Sequence, residues 1–260
     1  METTGETTKK HFPAWHRAMQ DAATEREPNC FILARKGSKR LKNKNKLDFL
    51  GKPLVLRAIE TAQEADIFDN IVVSSDDMEI IEIAYEANID KPHKRVSAHL
   101  RPKRMATDRV QQKHVCRYLA RAYNTGRVFC LLSPCNPFVK PEDLVVAHER
   151  LWRTGANYVM SVIQSSPPPQ LAMIKKKRFL EPMFGHDEIK RSQELEKTYH
   201  ANGGFIFARK DIFDIEFEYG FYGSKVLPYV MRDSMDIDTQ EDYELAKIVW
   251  RQKREAGLNQ

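Results

Sequence analysis

The sequence lacks any apolar run near the roughly 18 residues that a membrane-spanning helix requires. Its first ten residues, METTGETTKK, also lack the apolar core of a secretory signal peptide. We therefore expect a cytoplasmic protein that makes no use of a membrane. Residues 1–27 are polar and weakly patterned, so we interpret them as an N-terminal extension and residues 28–260 as one domain.

Cysteine is scarce, and its spacing excludes the usual metal and disulfide motifs. The four cysteines include no C-x-x-C pair, and two of them lie in or beside apparent strands. Buried free thiols are the expected state of all four. They are Cys30, Cys116, Cys130 and Cys135.

Several catalytic signatures are missing as well. The chain has no GxxxxGK[ST] loop and no GxGxxG loop, which removes the usual basis for an ATPase or a dinucleotide oxidoreductase. HExxH and GxSxG are also absent, so zinc-protease and serine-hydrolase chemistry has no local support. His114 and His200 fit no motif, and we assign neither as a general base.

What the sequence does have is a regular alternation of two apolar patterns. Strand-like runs cover residues 30–34, 70–75, 127–133 and 157–164, and helix-like spacing covers 51–65, 78–87, 108–123 and 141–152. This alternation predicts an α/β fold with a largely parallel sheet and helices on both faces.

The alternation stops between residues 164 and 200, where PPPQ, KKKR and FLEPMFG predict extended arms or a hairpin. It resumes at GGFIFARKDIF, with a short strand after Val226 and a last helix over residues 241–251. Thr239 and Asp242 have the spacing of a capping box for that helix.

Positive charge is concentrated after the first predicted strand, in FILARKGSKRLKNKN, within a chain of net charge +6. In an open α/β sheet, a ligand binds beyond the carboxyl ends of the strands, which is where this loop must lie. Gly37 lets backbone amides approach an anion, Ser38 adds a hydroxyl, and four cations suit a polyphosphate: Arg35, Lys36, Lys39 and Arg40. Charge alone fits a solvated loop or a nucleic-acid patch equally well.

A pair of acids near the end of the chain decides between these interpretations. Asp236 and Asp238 flank Ile237 in MDIDTQED, so in an extended segment both carboxylates point to one side. Such a pair can hold Mg²⁺, with phosphate oxygens and water completing the coordination. Together with a basic loop at a strand end, the pair indicates nucleotidyl transfer.

Five ordered blocks resemble the CMP-sialic acid synthetases, or more broadly the nonulosonate cytidylyltransferases that act on N-acylneuraminate, legionaminate or pseudaminate. LARKGSKRLKNKN is similar to the ARxxSKxxxxKN signature of that family, and GKPL followed by VVSSDD also matches. LRPKRMATD resembles LRPxxLAxD, YHANGG resembles xxNGA, and DIDTQED resembles DIDTxxD. The blocks cover about residues 30 to 250 in order.

The resemblance implies a Rossmann-like, three-layer α/β nucleotidyltransferase with a mainly parallel sheet. Residues 164–200 match a protruding dimerisation arm that lends residues to the sugar pocket of a neighbouring subunit. We therefore expect a homodimer, with Lys175–Arg178 contacting the partner subunit. The implied substrates are CTP and an acidic nine-carbon sugar, and the implied cofactor is Mg²⁺.

The resemblance also implies roles for individual residues. Lys39, Arg35 and Asp238 match catalytic positions, and Asp236 with Asp238 matches the metal site. The nucleotide positions are Arg35, Ser38, Lys39, Lys44, Asn45, Ser75 and Arg101. The sugar positions are Ser133, Arg191, Gln193, Tyr199 and Asn202.

The identity of the sugar stays open at this point. The chain has LLSPCNPFV where the family often has LQPTSPLR, which puts Ser133 in the place of a glutamine. A cytidylyltransferase for Kdo or 8-amino-Kdo is the nearest alternative, although RLPGK is then expected in the first loop. A nucleic-acid-binding module and an inactive relative of the family are the further alternatives, and the first of these predicts binding that falls steeply with salt.

Overall fold

The computed structural model describes residues 28–90 and 95–256, so the predicted extension at 1–27 lies outside the described residues. The helices are α1 (Leu54–Ala65), α2 (Met78–Asp90), α3 (Gln112–Ala122), α4 (Pro141–Thr154), α5 (Lys210–Ile215) and α6 (Gln240–Glu255). The strands are β1 (Asn29–Leu33), β2 (Asn70–Ser75), β3 (Val96–Leu100), β4 (Val128–Leu132), β5 (Tyr158–Gln164), β6 (Met173–Lys176), β7 (Phe179–Pro182), β8 (Tyr199–Arg209) and β9 (Val226–Val230). Across the described ranges, no helix is long and apolar enough to cross a bilayer.

Seven strands form one sheet in the order β3-β2-β1-β4-β8-β5-β9. The β1 strand pairs in parallel with both β2 and β4, which places it at the centre of the parallel half. Within the described residues, β8 is the one strand of this sheet that pairs antiparallel with its neighbours, β4 and β5. The prediction of a mainly parallel sheet is therefore confirmed.

Helices cover both faces of the sheet, as the alternating pattern predicted. On one face, α1, α2 and α4 pack against strand residues such as Ile32 and Val73. On the other face, α3 and α5 pack against the alternate strand residues, including Phe31 and Phe129. Because successive residues of a strand point to opposite faces, each central strand contributes to both cores and is apolar along its length.

The last helix, α6, packs into a third apolar cluster. Ile237 and Ala246 are fully buried there against Phe49 and Leu54. The predicted capping box starts the helix: Asp242 N–H donates to Thr239 Oγ1 at 3.2 Å, and Thr239 N–H donates to Asp242 Oδ2 at 2.8 Å. This cluster fixes the segment that carries the acid pair.

Two elements differ from the sequence prediction. The helix predicted from Asp108 begins at Gln112, because residues 103–105 form a 3-10 turn and Asp108 turns back to pair with the basic loop. The β3 strand was not predicted: VSAHL alternates apolar and polar residues, but the run is short and only Val96 is buried.

The segment at 164–200 forms a hairpin of β6 and β7 together with short 3-10 turns, which matches the predicted break in the alternation. Its large apolar side chains are exposed, including Phe179 at 62% and Leu180 at 61%. The hairpin thus leaves an apolar surface exposed on the single chain.

Candidate active site

A cleft of about 750 Å³ opens beyond the carboxyl ends of β1 and β4. Its wall combines the basic loop after β1 with the acid pair before α6. Arg40 and Asp238 are 198 residues apart in sequence, yet their side chains form a hydrogen bond of 2.6 Å. The fold therefore brings the two most informative sequence features into one site.

Asp238 is the point at which loop and acid pair meet. Its Oδ2 accepts from Arg40, and its Oδ1 accepts from Lys44 Nζ at 2.7 Å. Burial acts to lower the pKa of Lys44, while the Cys135 sulfur and the hydrogen bond to Asp238 act to raise it, and the net result is a raised pKa. Lys44 is therefore a permanent cation at neutral pH.

Asp236 lies beside Asp238 with its carboxylate open to the cleft. Partial burial of the Asp236 carboxyl within the cleft, followed by the negative charge of Asp238, raises the pKa of Asp236 to about 6. Between the two acids, Ile237 is fully buried, and its N–H donates to the Cys135 carbonyl at 2.9 Å. Both acids are thus held toward the cleft, as the alternating pattern predicted.

Gly203 makes room for the Asp236 carboxylate. It has a φ of +65°, and a Cβ built on it would lie 2.6 Å from Asp236 Cγ. The β8 strand is irregular here opposite Ser161, whose Oγ accepts from Phe205 N–H at 2.7 Å. This irregularity presents Gly203 and Gly204 to the cleft, where a regular strand with side chains would fill the space.

Two cations of the basic loop converge on one carboxylate across the cleft. Arg35 and Lys39 both form ion pairs with Asp108, and all three side chains line the cleft. The hydrogen bond from Lys39, followed by that from Arg35, lowers the pKa of Asp108. Because Lys39 is 78% exposed at its side chain, it is free to turn from Asp108 toward a bound anion.

Buried side chains hold the basic loop from behind. Asn45 Nδ2 donates to the Arg35 carbonyl at 2.9 Å, and the Cys135 thiol donates to Asn45 Oδ1 at 3.3 Å. Burial raises the pKa of Cys135 to about 11, so this sulfur is a neutral thiol at pH 7. Asn45 thereby links both ends of the loop to the turn after β4.

The predicted nucleotide residues divide into two groups. Six of them line the cleft: Arg35, Ser38, Lys39, Lys44, Asn45 and Arg101. Ser75 is not on the cleft wall. It is fully buried, and its Oγ accepts from Asp77 N–H at 2.9 Å, which makes it part of the turn into α2.

The predicted sugar residues are more widely spread. Ser133 lines the cleft, and its N–H donates to the Gly204 carbonyl at 2.9 Å. Asn202 is buried behind the cleft wall, and its Oδ1 accepts from Gly204 N–H at 3.1 Å. The remaining three residues are exposed and lie away from the cleft of their own chain: Arg191, Gln193 and Tyr199.

Sequence reasoning did not assign several residues that the structure places in the site. Asp108 ends the matched LRPKRMATD block, whereas Cys135 lies in LLSPCNPFV, where the chain departs from the family pattern. Arg40 was noted for its charge alone. Tyr222 also lines the cleft, but GFYGSK carries no motif by which it could have been found.

The acid pair fits a magnesium ion by its donor chemistry. Both side chains offer oxygen ligands, which Mg²⁺ prefers, and a site with one or two carboxylates normally relies on substrate phosphates for the rest. Among the described residues, none forms an ion pair with Asp236, and its pKa is raised by burial and by the neighbouring charge of Asp238. Residues 28–90 and 95–256 contain no cluster of three or more histidine, cysteine or acidic side chains that could hold a metal unaided.

Similarity to curated proteins covers most of the chain. A pseudaminic acid cytidylyltransferase from Campylobacter jejuni is 32% identical over 88% of this chain and 98% of its own length. A CMP-N,N'-diacetyllegionaminic acid synthase from Legionella pneumophila is 30% identical, covering 86% of this chain and 97% of that protein. An N-acylneuraminate cytidylyltransferase from Escherichia coli O18:K1:H7 is 30% identical over 88% of this chain and 53% of its own length.

Solved structures share the fold at lower identity. A CMP:2-keto-3-deoxy-manno-octonic acid synthetase complexed with CTP superposes with a TM-score of 0.64 at 13% identity, covering 87% of this chain and 99% of that one. The family model described as "Cytidylyltransferase" matches residues 29–259, which span the basic loop, the cleft and the acid pair. The chain is therefore a member of the cytidylyltransferase family.

Proposed function

We propose that this chain transfers CMP from CTP to the anomeric hydroxyl of a nonulosonic acid and releases pyrophosphate. The observation that carries the proposal is the meeting of Arg40 and Lys44 with Asp238 in one cleft. A nucleotidyltransferase needs cations for the triphosphate next to carboxylates for a divalent ion, and this cleft holds both.

The reaction is a displacement at the α-phosphorus of CTP. The anomeric hydroxyl of the sugar gives up its proton to water, its oxygen forms a bond to that phosphorus, the bond from phosphorus to the bridging oxygen breaks, and pyrophosphate leaves. Arg35 and Lys39 contact the β- and γ-phosphates and neutralise the charge that develops on the leaving group. Ser38 and the backbone near Gly37 complete the phosphate contacts, and Lys44 with Asn45 fixes the end of the loop.

Asp236 and Asp238 would hold Mg²⁺. When bound, such an ion neutralises phosphate oxygens and lowers the pKa of a nearby hydroxyl. Arg40 and Lys44 occupy the Asp238 carboxylate in the substrate-free chain. We infer that these two cations turn to the phosphates once CTP is bound, because a triphosphate offers them stronger charge-assisted hydrogen bonds.

The base and ribose of CTP lie on the side of the cleft formed by Arg101. Its guanidinium is buried and fixed to the end of β2, so it presents a rigid donor to a nucleotide. The sugar lies on the opposite side, against Ser133 and the Gly203–Gly204 backbone. The relatives named for pseudaminic, N-acylneuraminic and legionaminic acids support a sugar of this class.

We infer that the working form is a homodimer. The β6–β7 hairpin exposes Phe179 and Leu180, whereas a chain that works alone normally buries such residues. Arg191, Gln193 and Tyr199 are away from their own cleft, which suits residues that contact the sugar bound by a neighbouring subunit. The arm at 164–200 would bring them there, together with Lys175–Arg178. We place the reaction in the cytoplasm, where CTP and Mg²⁺ are available.

The proposal is tested by a pyrophosphate-release assay with CTP, Mg²⁺ and separate acceptors. The acceptors are N-acylneuraminic, legionaminic, pseudaminic and Kdo acids, and each product is identified by its mass. We expect turnover with at least one nine-carbon acid and little with Kdo. Turnover with Kdo alone would favour the eight-carbon alternative, and no pyrophosphate with any acceptor would refute the proposed transfer.

A further inference from the structure

The buried Arg101 guanidinium is held by a single residue of the neighbouring strand. Its Nε donates to Ser74 Oγ at 3.0 Å, and a terminal nitrogen donates to the Ser74 carbonyl at 2.6 Å. Ser74 is fully buried at the end of β2, and Arg101 lines the cleft. Ser74 therefore determines which way this cation faces.

The same serine hydroxyl has a second partner on its far side. His99 Nδ1 lies 3.0 Å from Ser74 Oγ, on the adjacent strand β3. Arginine can only donate hydrogen bonds, so Ser74 Oγ must accept from Arg101. The hydroxyl proton is then available for His99 Nδ1, which accepts it only when that nitrogen carries no proton. This geometry accommodates a chain of hydrogen bonds from Ser74 Oγ–H to His99 Nδ1 in which His99 is neutral and carries its proton on Nε2.

The surroundings of His99 favour this neutral form. Two tyrosine rings pack against the imidazole, Tyr118 of α3 at 5.5 Å and Tyr123, just after α3, at 6.1 Å between ring centroids. Burial, followed by the positive charge of Arg101, lowers the pKa of His99. The charged groups around Arg101 itself are Asp76 and Arg35, whose effects on its pKa are opposite.

We propose that His99 is a positioning residue that orients Arg101 toward the nucleotide through the Ser74 hydroxyl. The inference rests on the proposed function, because it takes Arg101 as a contact of CTP. In the neutral form, His99 Nδ1 accepts a hydrogen bond from the Ser74 hydroxyl. A lone pair of Ser74 Oγ then stays directed at Arg101. Protonation of Nδ1 would turn the imidazole into a donor and put a second positive charge next to the guanidinium. The site should then bind CTP less tightly.

Two substitutions at His99 distinguish the loss of a hydrogen-bond acceptor from a change in side-chain volume. His99→Asn puts an acceptor oxygen near the position of Nδ1, whereas His99→Leu has similar size and no acceptor. By calorimetry at pH 8, we expect His99→Leu to weaken CTP binding about threefold to tenfold, as the loss of one hydrogen bond implies. His99→Asn should stay within about twofold of the wild type in CTP affinity, and the exposed control His114→Asn should match the wild type.

In a Ser74→Ala background, His99→Leu should have no further effect on CTP affinity, since the hydrogen-bond link through the Ser74 hydroxyl is already broken.

The pH dependence gives a test that a merely structural role would not satisfy. We measure the CTP affinity of the wild type and of His99→Asn in the same buffers and divide the first by the second. Protonation of CTP or of Asp236 affects both chains alike and therefore does not change this ratio. Because burial lowers the pKa of His99, the ratio should be constant around and above neutral pH and should fall only in acidic buffer, where the wild type alone gains a proton at position 99. This comparison does not depend on whether His99→Leu folds.

Two results would overturn the inference while leaving the proposed function intact. One is wild-type CTP affinity in a folded His99→Leu chain, and the other is an effect of His99→Leu on CTP affinity that persists undiminished in the Ser74→Ala background. Failure of the wild-type chain itself to bind CTP would instead refute the proposed function, and the inference with it.

Discussion

The position of the Asp236 carboxylate depends on the missing side chain of Gly203. A methyl group at that position would collide with Asp236 and would also have to adopt a φ of +65°. Gly155 provides a matched control, because it has the same φ and open space around its Cβ position. The two glycines therefore separate backbone strain from displacement of the acid.

We predict that Gly203→Ala lowers the turnover rate by about a hundredfold or more, since a shift of about 1 Å in a catalytic group has effects of this size. Gly155→Ala should lower the thermal stability by a similar amount but keep the turnover rate. The measurement is pyrophosphate release alongside thermal unfolding of both variants. Equal activity of the two variants would show that Gly203 has no special relation to the acid pair.

The raised pKa of Asp236 has a consequence for stability in the absence of metal. Its folded-state pKa is about 6, against an ordinary value of 3.8. The contribution of the protonated Asp236 carboxyl to the free energy of unfolding is therefore fully present below pH 3.8 and is lost as the pH rises through 6. At pH 8 the ionised carboxylate destabilises the metal-free chain.

In a chelating buffer, we predict that Asp236→Asn melts about 2 to 4 °C above the wild type at pH 8, a range typical of modest changes in a domain of this size. The difference should shrink toward pH 5, where the wild-type carboxyl is protonated. Adding Mg²⁺ at pH 8 should raise the melting temperature of the wild type more than that of the variant. A variant less stable than the wild type at pH 8 would contradict the assignment of uncompensated charge to Asp236.

The predicted site residues that the structure brings together in the cleft are those for which a sequence motif specifies both the residue type and its position. Arg35, Lys39 and Asp238 belong to ordered blocks, and all three line the cleft. The resemblance assigned Ser75 to the nucleotide site, whereas the structure fixes Arg101 to Ser74. That distinction depends on the pairing of β2 with β3, which no local pattern specifies.

At the scale of elements, the start of α6 connects helix stability to the acid pair. Asp242 accepts from the N–H groups of both Thr239 and Asp238, at 2.8 and 3.0 Å. It therefore caps the helix and fixes the backbone that carries the Asp238 carboxylate. Thr239 Oγ1 accepts from the Asp242 N–H, but within the described part of the chain its side chain makes no hydrogen bond with Asp238.

We predict that Thr239→Ala and Asp242→Ala each destabilise the fold by about 1 kcal/mol, the usual cost of losing a cap. Asp242→Ala should also lower the turnover rate more than Thr239→Ala, because it alone releases the Asp238 backbone. Urea unfolding and pyrophosphate release measure the two effects, with the exposed first-turn variant Gln240→Ala as control. If both cap variants lost activity equally, the capping residue Asp242 would have no separate role in placing Asp238.

Most helices and strands could be predicted because their apolar periodicity is strong and local. The capping box at Thr239 and the break at 164–200 were also visible in the sequence. The antiparallel direction of β8 was not, since an apolar run such as GGFIFAR suits either direction between two covered faces. Strand direction here follows from the connection through the hairpin segment, which is a property of the chain path.

At the scale of the whole molecule, the exposed hairpin predicts an assembly of two chains. We expect the wild type to sediment at twice the chain mass of 30.2 kDa at micromolar concentration. Replacing both Phe179 and Leu180 by serine should produce monomers, because apolar area drives such contacts. Ile215→Ser, at a site that is 79% exposed elsewhere on the surface, should leave the dimer intact. A wild type that sediments only at 30.2 kDa would contradict the proposed dimer.

The central claim is that the basic loop and the acid pair form one reaction site. The direct measurement is the ³¹P spectrum of CTP incubated with Mg²⁺, the preferred nonulosonic acid and either wild-type or Asp238→Asn chain, with Asp233→Asn as control. Asp233 pairs with Lys253 outside the cleft, so its variant should turn over normally. The account predicts a new phosphodiester and free pyrophosphate with the wild type, and a rate at least about a hundredfold lower in a folded Asp238→Asn chain. Wild-type turnover by Asp238→Asn would contradict it.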